Sequence, residues 1–390
     1  MKNIFDLASK TYATLERAVR IGSLTVTTPD GKQRVFAGPE RGPAGVIVIN
    51  DWRTLGAALS QGDIGLGNAY MAGWWDSPDL EPLFSVLMLN MDGLGKLAWG
   101  TRLHRITSVF REWVMRRNSL AGSRRNIMAH YDVGNDFYAA WLDPSMTYSC
   151  AMYASPQTDL ATGQQAKYAR ILDRLGGNRG EILEIGCGWG GFMAAASGRQ
   201  RRVTALTISR QQHAFVRERA GSNADVRLQD YRASSGRYPG IVSIEMFEAV
   251  GERYWPAYFA TLRERLTKDG VAIVQTISIA DQLFASYRTS SDYVRHYIFP
   301  GGLLPSVARF REEAEHAGLA VTDVHSFGQD YARTCREWLG RFDASAPRIA
   351  ALGYDAGFMR GWRMYLAMCA SGFAYGRTNV HQIELRHASA

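Results

Sequence analysis

The chain has 390 residues, more than one ordinary domain needs, so two domains are expected. Its 46% hydrophobic and 21% charged residues belong to an ordinary soluble globular protein. A formal charge of +8 favours an anionic partner, whether nucleic acid, an acidic metabolite or a membrane surface, without choosing among them. No apolar run is long enough to span a bilayer, and Met1–Asp6 has no secretory core, so the chain is expected to stay in the cytoplasm. Cys150, Cys187, Cys335 and Cys369 are scattered without a Cys-x-x-Cys pair, which argues against a disulfide framework and a zinc site, so no metal is expected.

In chain order, Ile21–Val26 and Arg34–Ala37 flank Pro29-Asp30-Gly31 and predict a hairpin. Val46–Ile49 predicts a third strand, and Asp51–Leu55 opens a helix. The glycine-rich, aromatic stretch Gly65–Trp75 suits core packing of a small α+β module. From Arg102 to Arg125, arginines alternate with large apolar side chains. Such a helix suits either an anionic membrane interface or a solvated basic face between two domains. The expected division is an N-terminal domain at 1–100, a linker helix at 101–128 and a second domain at 129–390.

From Gly180 onward, strands and helices alternate, which predicts an α/β fold with a parallel sheet covered on both faces. The expected strands are 181–186, 203–208, 224–228, 241–244, 271–277 and 320–324. Helices are expected at 211–220, with Ser209 as N-cap, and at 257–266. Gly186, Thr207, Ser209, Asp230, Glu245 and Glu248 fall at carboxyl ends of strands, where ligands bind in such sheets. Asp281–Pro305 breaks the alternation and suits a substrate wall.

The stretch Glu184-Ile185-Gly186-Cys187-Gly188-Trp189-Gly190 turns a strand into a helix through closely spaced glycines. It reads either as a purely structural turn or as a nucleoside cradle. The second strand ends in Leu206-Thr207-Ile208-Ser209 rather than an acid, which favours an adenosyl ligand over a dinucleotide.

His130–Tyr138, Asp143–Cys150 and Glu184–Gly190, followed by Leu206–Ser209, Met246–Glu248, Phe299–Gly302 and Tyr331–Thr334, resemble the cyclopropane-fatty-acyl-phospholipid synthase family, which includes the mycolic acid cyclopropane synthases. The similarity runs from about His130 to the C-terminus, and Gly65–Trp75 resembles the N-terminal domain of the longer members. The resemblance implies a class I methyltransferase domain behind a smaller α+β domain. It also implies transfer of a methyl group from S-adenosylmethionine to a cis double bond in membrane phospholipid. The resulting carbocation would be stabilised by aromatic faces, with Tyr131, Phe137, Tyr148, Phe247, Tyr293, Tyr297 and Tyr331 as candidates.

By the same resemblance, Tyr131, Tyr148 and Ser149 close over the cofactor; Gly186, Trp189 and Gly190 line its amino-acid end, with Glu184 and Gly188 as further cofactor-binding residues of the turn; Thr207, Ser209 and Gln212 reach the ribose; Tyr231 and Arg232 fall near the adenine. A bicarbonate ion would take the proton, held by Cys150, Glu248, Gln275, Ile277 and Tyr331. Cys369 matches a position once assigned as catalytic, but its apolar helix suits a buried wall thiol. The chain departs from the ring-forming members at Gln275 and Ala249, where histidines are usual. Glutamine can hydrogen-bond an anion but cannot share its proton. A methyl- or methylene-branched product, with a reductase partner in the latter case, therefore stands beside the cyclopropane, and a non-catalytic lipid-binding protein beside both. A homodimer is allowed. Nucleic acid is disfavoured as substrate because no Asn/Asp-Pro-Pro-Tyr motif is present. The expected location is the inner face of an anionic membrane.

Overall fold

A computed structural model describes residues 2–101, 133–176, 180–220 and 225–388. The basic stretch 102–125 and Tyr131 lie outside the described residues. The chain forms two compact units, Met1–Val114 with Thr289–Ile298 and Cys335–Gly376, and Met115–Arg288 with Phe299–Thr334 and Arg377–Ala390. The units are thus interleaved in sequence, whereas the sequence suggested consecutive domains.

In the first unit, β1 (Ile21–Thr27) and β2 (Gln33–Ala37) form the expected antiparallel hairpin. Gly31, at φ 79°, closes its turn by donating to Thr28 O at 2.8 Å. β3 (Glu40–Ile49) runs parallel to β1, and the short β4 (Trp75–Asp76) completes the order β2-β1-β3-β4. The helix Leu80–Leu89 crosses β3 so closely that a side chain on Gly45 would meet Leu83 Cα at 2.8 Å. A helix from far along the chain, Ala356–Ala374, packs on Leu80–Leu89, with Ser371 Oγ donating to Glu81 O at 2.9 Å. Gly65–Trp75 packs as core: Trp75 is fully buried with Tyr70 4.5 Å away, and Gly67 lies against the Tyr293 ring.

The second unit is built on a seven-stranded sheet. β5 (Ile182–Ile185), β6 (Val203–Thr207), β7 (Asp225–Leu228), β8 (Tyr238–Ile244) and β9 (Leu266–Ile279) are mutually parallel where they pair. β10 (Leu319–Ser326) and β11 (Thr378–His387) complete the order β10-β11-β9-β8-β5-β6-β7. Two apolar clusters cover its faces. Leu183, Ile185 and Ile241 face the helix Trp255–Arg265, while Ile182, Val203 and Ile273 face the helices Leu160–Arg174 and Gly191–Gly198. This period-2 alternation puts Glu184 on the same side as Tyr168.

β11 is the one strand of this sheet that the sequence did not suggest, and it is antiparallel to both neighbours. Its buried polar residues find partners: His381 bridges Ser278 and Ser326, and Glu384 takes Arg174 and Arg386. Asp281–Pro305 divides between the units, with Thr289–Ile298 in the first and its flanks in the second. Among the described residues, no helix is long and apolar enough to cross a membrane.

Candidate active site

The glycine turn follows β5 directly. Gly186, Gly188 and Gly190 all have positive φ, and the helix Gly191–Gly198 begins at once. Gly186 N and Cys187 N both donate to Leu206 O, which fastens the turn to the end of β6. A side chain at Gly186 would strike Met246 at 2.8 Å, so the turn and the segment after β8 are in close contact. Glu184 is 3% exposed, and burial pushes its carboxyl up to about 8; its Oε2 has no partner among the described residues. A buried carboxyl with one oxygen unpartnered among the described residues, beside a glycine turn, is suited to a cationic nucleoside that favours its ionised form. The residues present therefore fit S-adenosylmethionine.

The other expected cofactor residues gather around this turn. Trp189 Nε1 donates to Asn135 Oδ1 at 2.9 Å, and its ring lies 4.9 Å from Tyr138. The Tyr148 ring lies tilted 5.4 Å from the same Tyr138, so one tyrosine that the sequence had not singled out joins two residues that it had. Thr207 Oγ1 donates to Gln212 Oε1 at 2.9 Å, and Ser209 Oγ caps the helix Arg210–Ala220 by accepting from Gln212 N at 3.3 Å. Asp230 holds Arg232 at 2.7 Å, and Tyr231 packs against Tyr258.

A second constellation lies where β8 and β9 end. Glu245 stands directly after β8 in a left-handed conformation at φ 48°. Its Oε1 accepts from Cys150 N at 2.9 Å and Gln275 Nε2 at 2.8 Å, and its Oε2 accepts from the Tyr331 hydroxyl. Burial raises its pKa, and the Lys167 ammonium opposes that rise. Lys167 is itself fully buried, donates to Ser149 Oγ at 2.6 Å and is lowered by burial to about 8. Glu248 turns elsewhere: its Oε1 accepts from Thr276 Oγ1 at 2.9 Å and from Ile277 N, while burial pushes it up to about 8.

The five residues expected to hold bicarbonate are thus together. However, the donors of Cys150, Gln275 and Tyr331 go to Glu245, and that of Ile277 goes to Glu248. The arrangement does not fit an added anion, because the chain's own carboxylates occupy those donors. Phe247 is also corrected as a candidate for facing the cation: it is fully buried among Trp255, Tyr258, Phe259 and Phe310. Cys369 lies in the first unit, and burial raises its thiol to about 12, which disfavours the thiolate.

Sequence reasoning missed Lys167, Arg170 and Gln382. The signal for Lys167 was its place on the buried stripe of its helix with Gln164, Tyr168 and Ile171. Arg170 Nη1 donates to Gln382 Oε1 at 2.7 Å, and Gln382 Nε2 donates to Gln275 Oε1 at 3.0 Å. Guanidinium only donates, so both amides are oriented and Gln275 must present its NH2 to Glu245. Gln382→Leu is expected to cost about 2 kcal/mol of stability, because it strands a buried Gln275 oxygen. Urea denaturation measures that loss.

The mostly parallel sheet, the glycine turn after its β5 strand, the buried acid before that turn and the hydroxyl-ended β6 define an S-adenosylmethionine-dependent methyltransferase of class I. A family model described as mycolic acid cyclopropane synthetase matches residues 118–383, and the chain belongs to that family. It is 39% identical to the tuberculostearic acid methyltransferase of Mycobacterium tuberculosis over 82% of this chain and 78% of that protein. It is 36% identical to the cyclopropane-fatty-acyl-phospholipid synthase of Escherichia coli over 81% of each. The structure of a mycolic acid cyclopropane synthase complexed with SAH and CTAB matches with a TM-score of 0.63 and 32% identity, covering 67% of this chain and 97% of that one.

Proposed function

We propose that this chain transfers the methyl group of S-adenosylmethionine to a cis double bond in an acyl chain of membrane phospholipid, giving a cyclopropane. The observation that carries this reading is a triply hydrogen-bonded carboxylate, Glu245, directly before the Met246 that touches the cofactor turn. When bound, S-adenosylmethionine supplies an electrophilic methyl group. Glu184 and the glycine turn would hold and orient it, and Tyr148 and Tyr331 offer aromatic faces to the positive charge that develops on the acyl chain. Relatives named for methyl transfer and for cyclopropane formation support the substrate class. The net charge of +8 supports an anionic lipid surface at the inner face of the membrane.

A second reading is favoured by Gln275, which replaces a titratable group with an amide. If a hydride shifts to the cationic carbon before proton loss, removal of the same methyl proton gives a methylene branch, which a separate reductase would saturate. Purified protein with S-adenosylmethionine and unsaturated phospholipid vesicles is expected to add one CH2 per acyl chain. NMR of the product distinguishes ring protons from vinylic protons. Equal turnover on free fatty acid counts against the phospholipid assignment, and no mass gain on any lipid favours a non-catalytic lipid-binding protein.

A further inference from the structure

We propose that Glu245 is the general base of this enzyme, occupying with its own carboxylate the place that the family resemblance gives to bicarbonate. The inference rests on the function proposed above. Three donors converge on this side chain from three separate segments: the Cys150 amide, the Gln275 amide group and the Tyr331 hydroxyl. They are three of the groups that the resemblance assigns to the anion, and here they meet a covalently attached one.

The polarity of the relay fixes Glu245 as the acceptor. Arg170 can only donate, so Gln382 and then Gln275 are each forced to pass an N–H onward, and the relay ends on Glu245 Oε1. Tyr331 and Cys150 supply two more donors, and the buried Lys167 adds a positive charge nearby. These groups oppose the rise that burial imposes on the Glu245 carboxyl. The backbone of Glu245 is strained at φ 48°, a conformation that costs a non-glycine residue free energy. Glu245 N donates to Gln275 O at 2.8 Å, so both its backbone and its side chain are pinned to the same residue of β9. Strain is kept at this position because the side chain is held where it is needed.

In the step itself, a C–H bond of the newly transferred methyl group breaks and its proton passes to a carboxylate oxygen of Glu245. The electron pair of that bond closes on the cationic carbon, forming the third side of the ring; after a hydride shift it instead forms the methylene double bond. The proton returns to solvent when product leaves, and no co-reactant is needed.

Glu245→Gln keeps an oxygen for Cys150 and Gln275 and gives the Tyr331 oxygen a donor, so the fold should survive while the base is lost. The expected result is a kcat lower by about 100-fold or more, with S-adenosylmethionine affinity within about twofold by calorimetry. Glu245→Gly relieves the strained backbone and opens the anion place. It should be inactive in CO2-depleted buffer and partly rescued by added bicarbonate or acetate. Wild-type turnover should be unchanged by CO2 depletion, and 13C-bicarbonate NMR should detect binding to the glycine variant but not to wild type. Binding of bicarbonate to wild type, loss of wild-type turnover on depletion, or an active Glu245→Gln enzyme would each overturn the proposal. If wild type is inert on every lipid, the assigned function fails, and the bicarbonate-binding comparison still decides whether Glu245 fills the anion place.

Discussion

Glu184→Gln is expected to weaken S-adenosylmethionine binding about 100-fold while leaving the fold intact. A buried hydrogen bond to a charged group contributes about 1.5–3 kcal/mol, and a tenfold change in affinity is about 1.4 kcal/mol. Glu184 sits in the sheet directly before the glycine turn, with one oxygen unpartnered among the described residues. Its carboxyl is raised by burial from 4.5 to about 8, so the ligand-free protein carries a proton there at neutral pH. The sign follows from linkage. The contribution of this group to stability is fully present below 4.5 and is lost as pH rises through about 8. A cationic ligand needs the ionised form, so binding should release a proton below pH 8 and affinity should rise with pH up to that point. Calorimetry in buffers of different ionisation enthalpy measures the proton release. Unchanged affinity in the variant, or no proton release in wild type, would remove Glu184 from the cofactor site.

Lys167→Met should move the acid limb of the kcat pH profile to higher pH. Burial raises the Glu245 carboxyl, and the Lys167 charge is the first influence that lowers it. Without that ammonium the protonated carboxyl gains ground against the Cys150 and Tyr331 donors, while the buried Glu248 and the Cys150 thiol add no positive charge in its place. On the acid side, a carboxyl that titrates higher leaves less ionised base at a given pH, so turnover there falls. Lys167→Arg cannot restore the profile easily, because the site admits a compact ammonium against Ser149 Oγ at 2.6 Å rather than a planar fork. A pH profile of Lys167→Met that overlays the wild type would show that Glu245 does not set the acid limb.

The two variants separate the two halves of the site. Glu184 acts on cofactor affinity, whereas Lys167 acts on the base and, through its hydrogen bond to Ser149, also borders the cofactor side. Both lie on the side of the sheet covered by the helix Leu160–Arg174, which carries Lys167 and Arg170 on its inner surface. That helix is therefore more than a cover. It supplies the cation near Glu245 and the guanidinium that orients Gln382.

Much of this site was legible before the structure. The turn Gly186–Gly190 and the hydroxyl-ended β6 are local patterns, since glycine spacing and strand alternation act over a few residues. Cys150, Gln275, Ile277 and Tyr331 were also recognisable from the family resemblance, and they do converge. The role of Glu245 was not legible. Its partners lie 95, 30 and 86 residues away, and no one-dimensional period records which strand end faces which loop.

By itself, the sequence determined the alternation that builds a parallel sheet, because burial on two faces demands continuous apolar strands, and it determined the cofactor turn, because only glycine accepts those left-handed angles without strain. Tertiary structure alone decided that β11 inserts antiparallel between β9 and β10, bringing Gln382 against Gln275. It also decided that the donors expected to hold a free anion meet Glu245 instead. A hydrogen bond is satisfied by whichever acceptor the fold delivers, and here the fold delivers one from the chain itself.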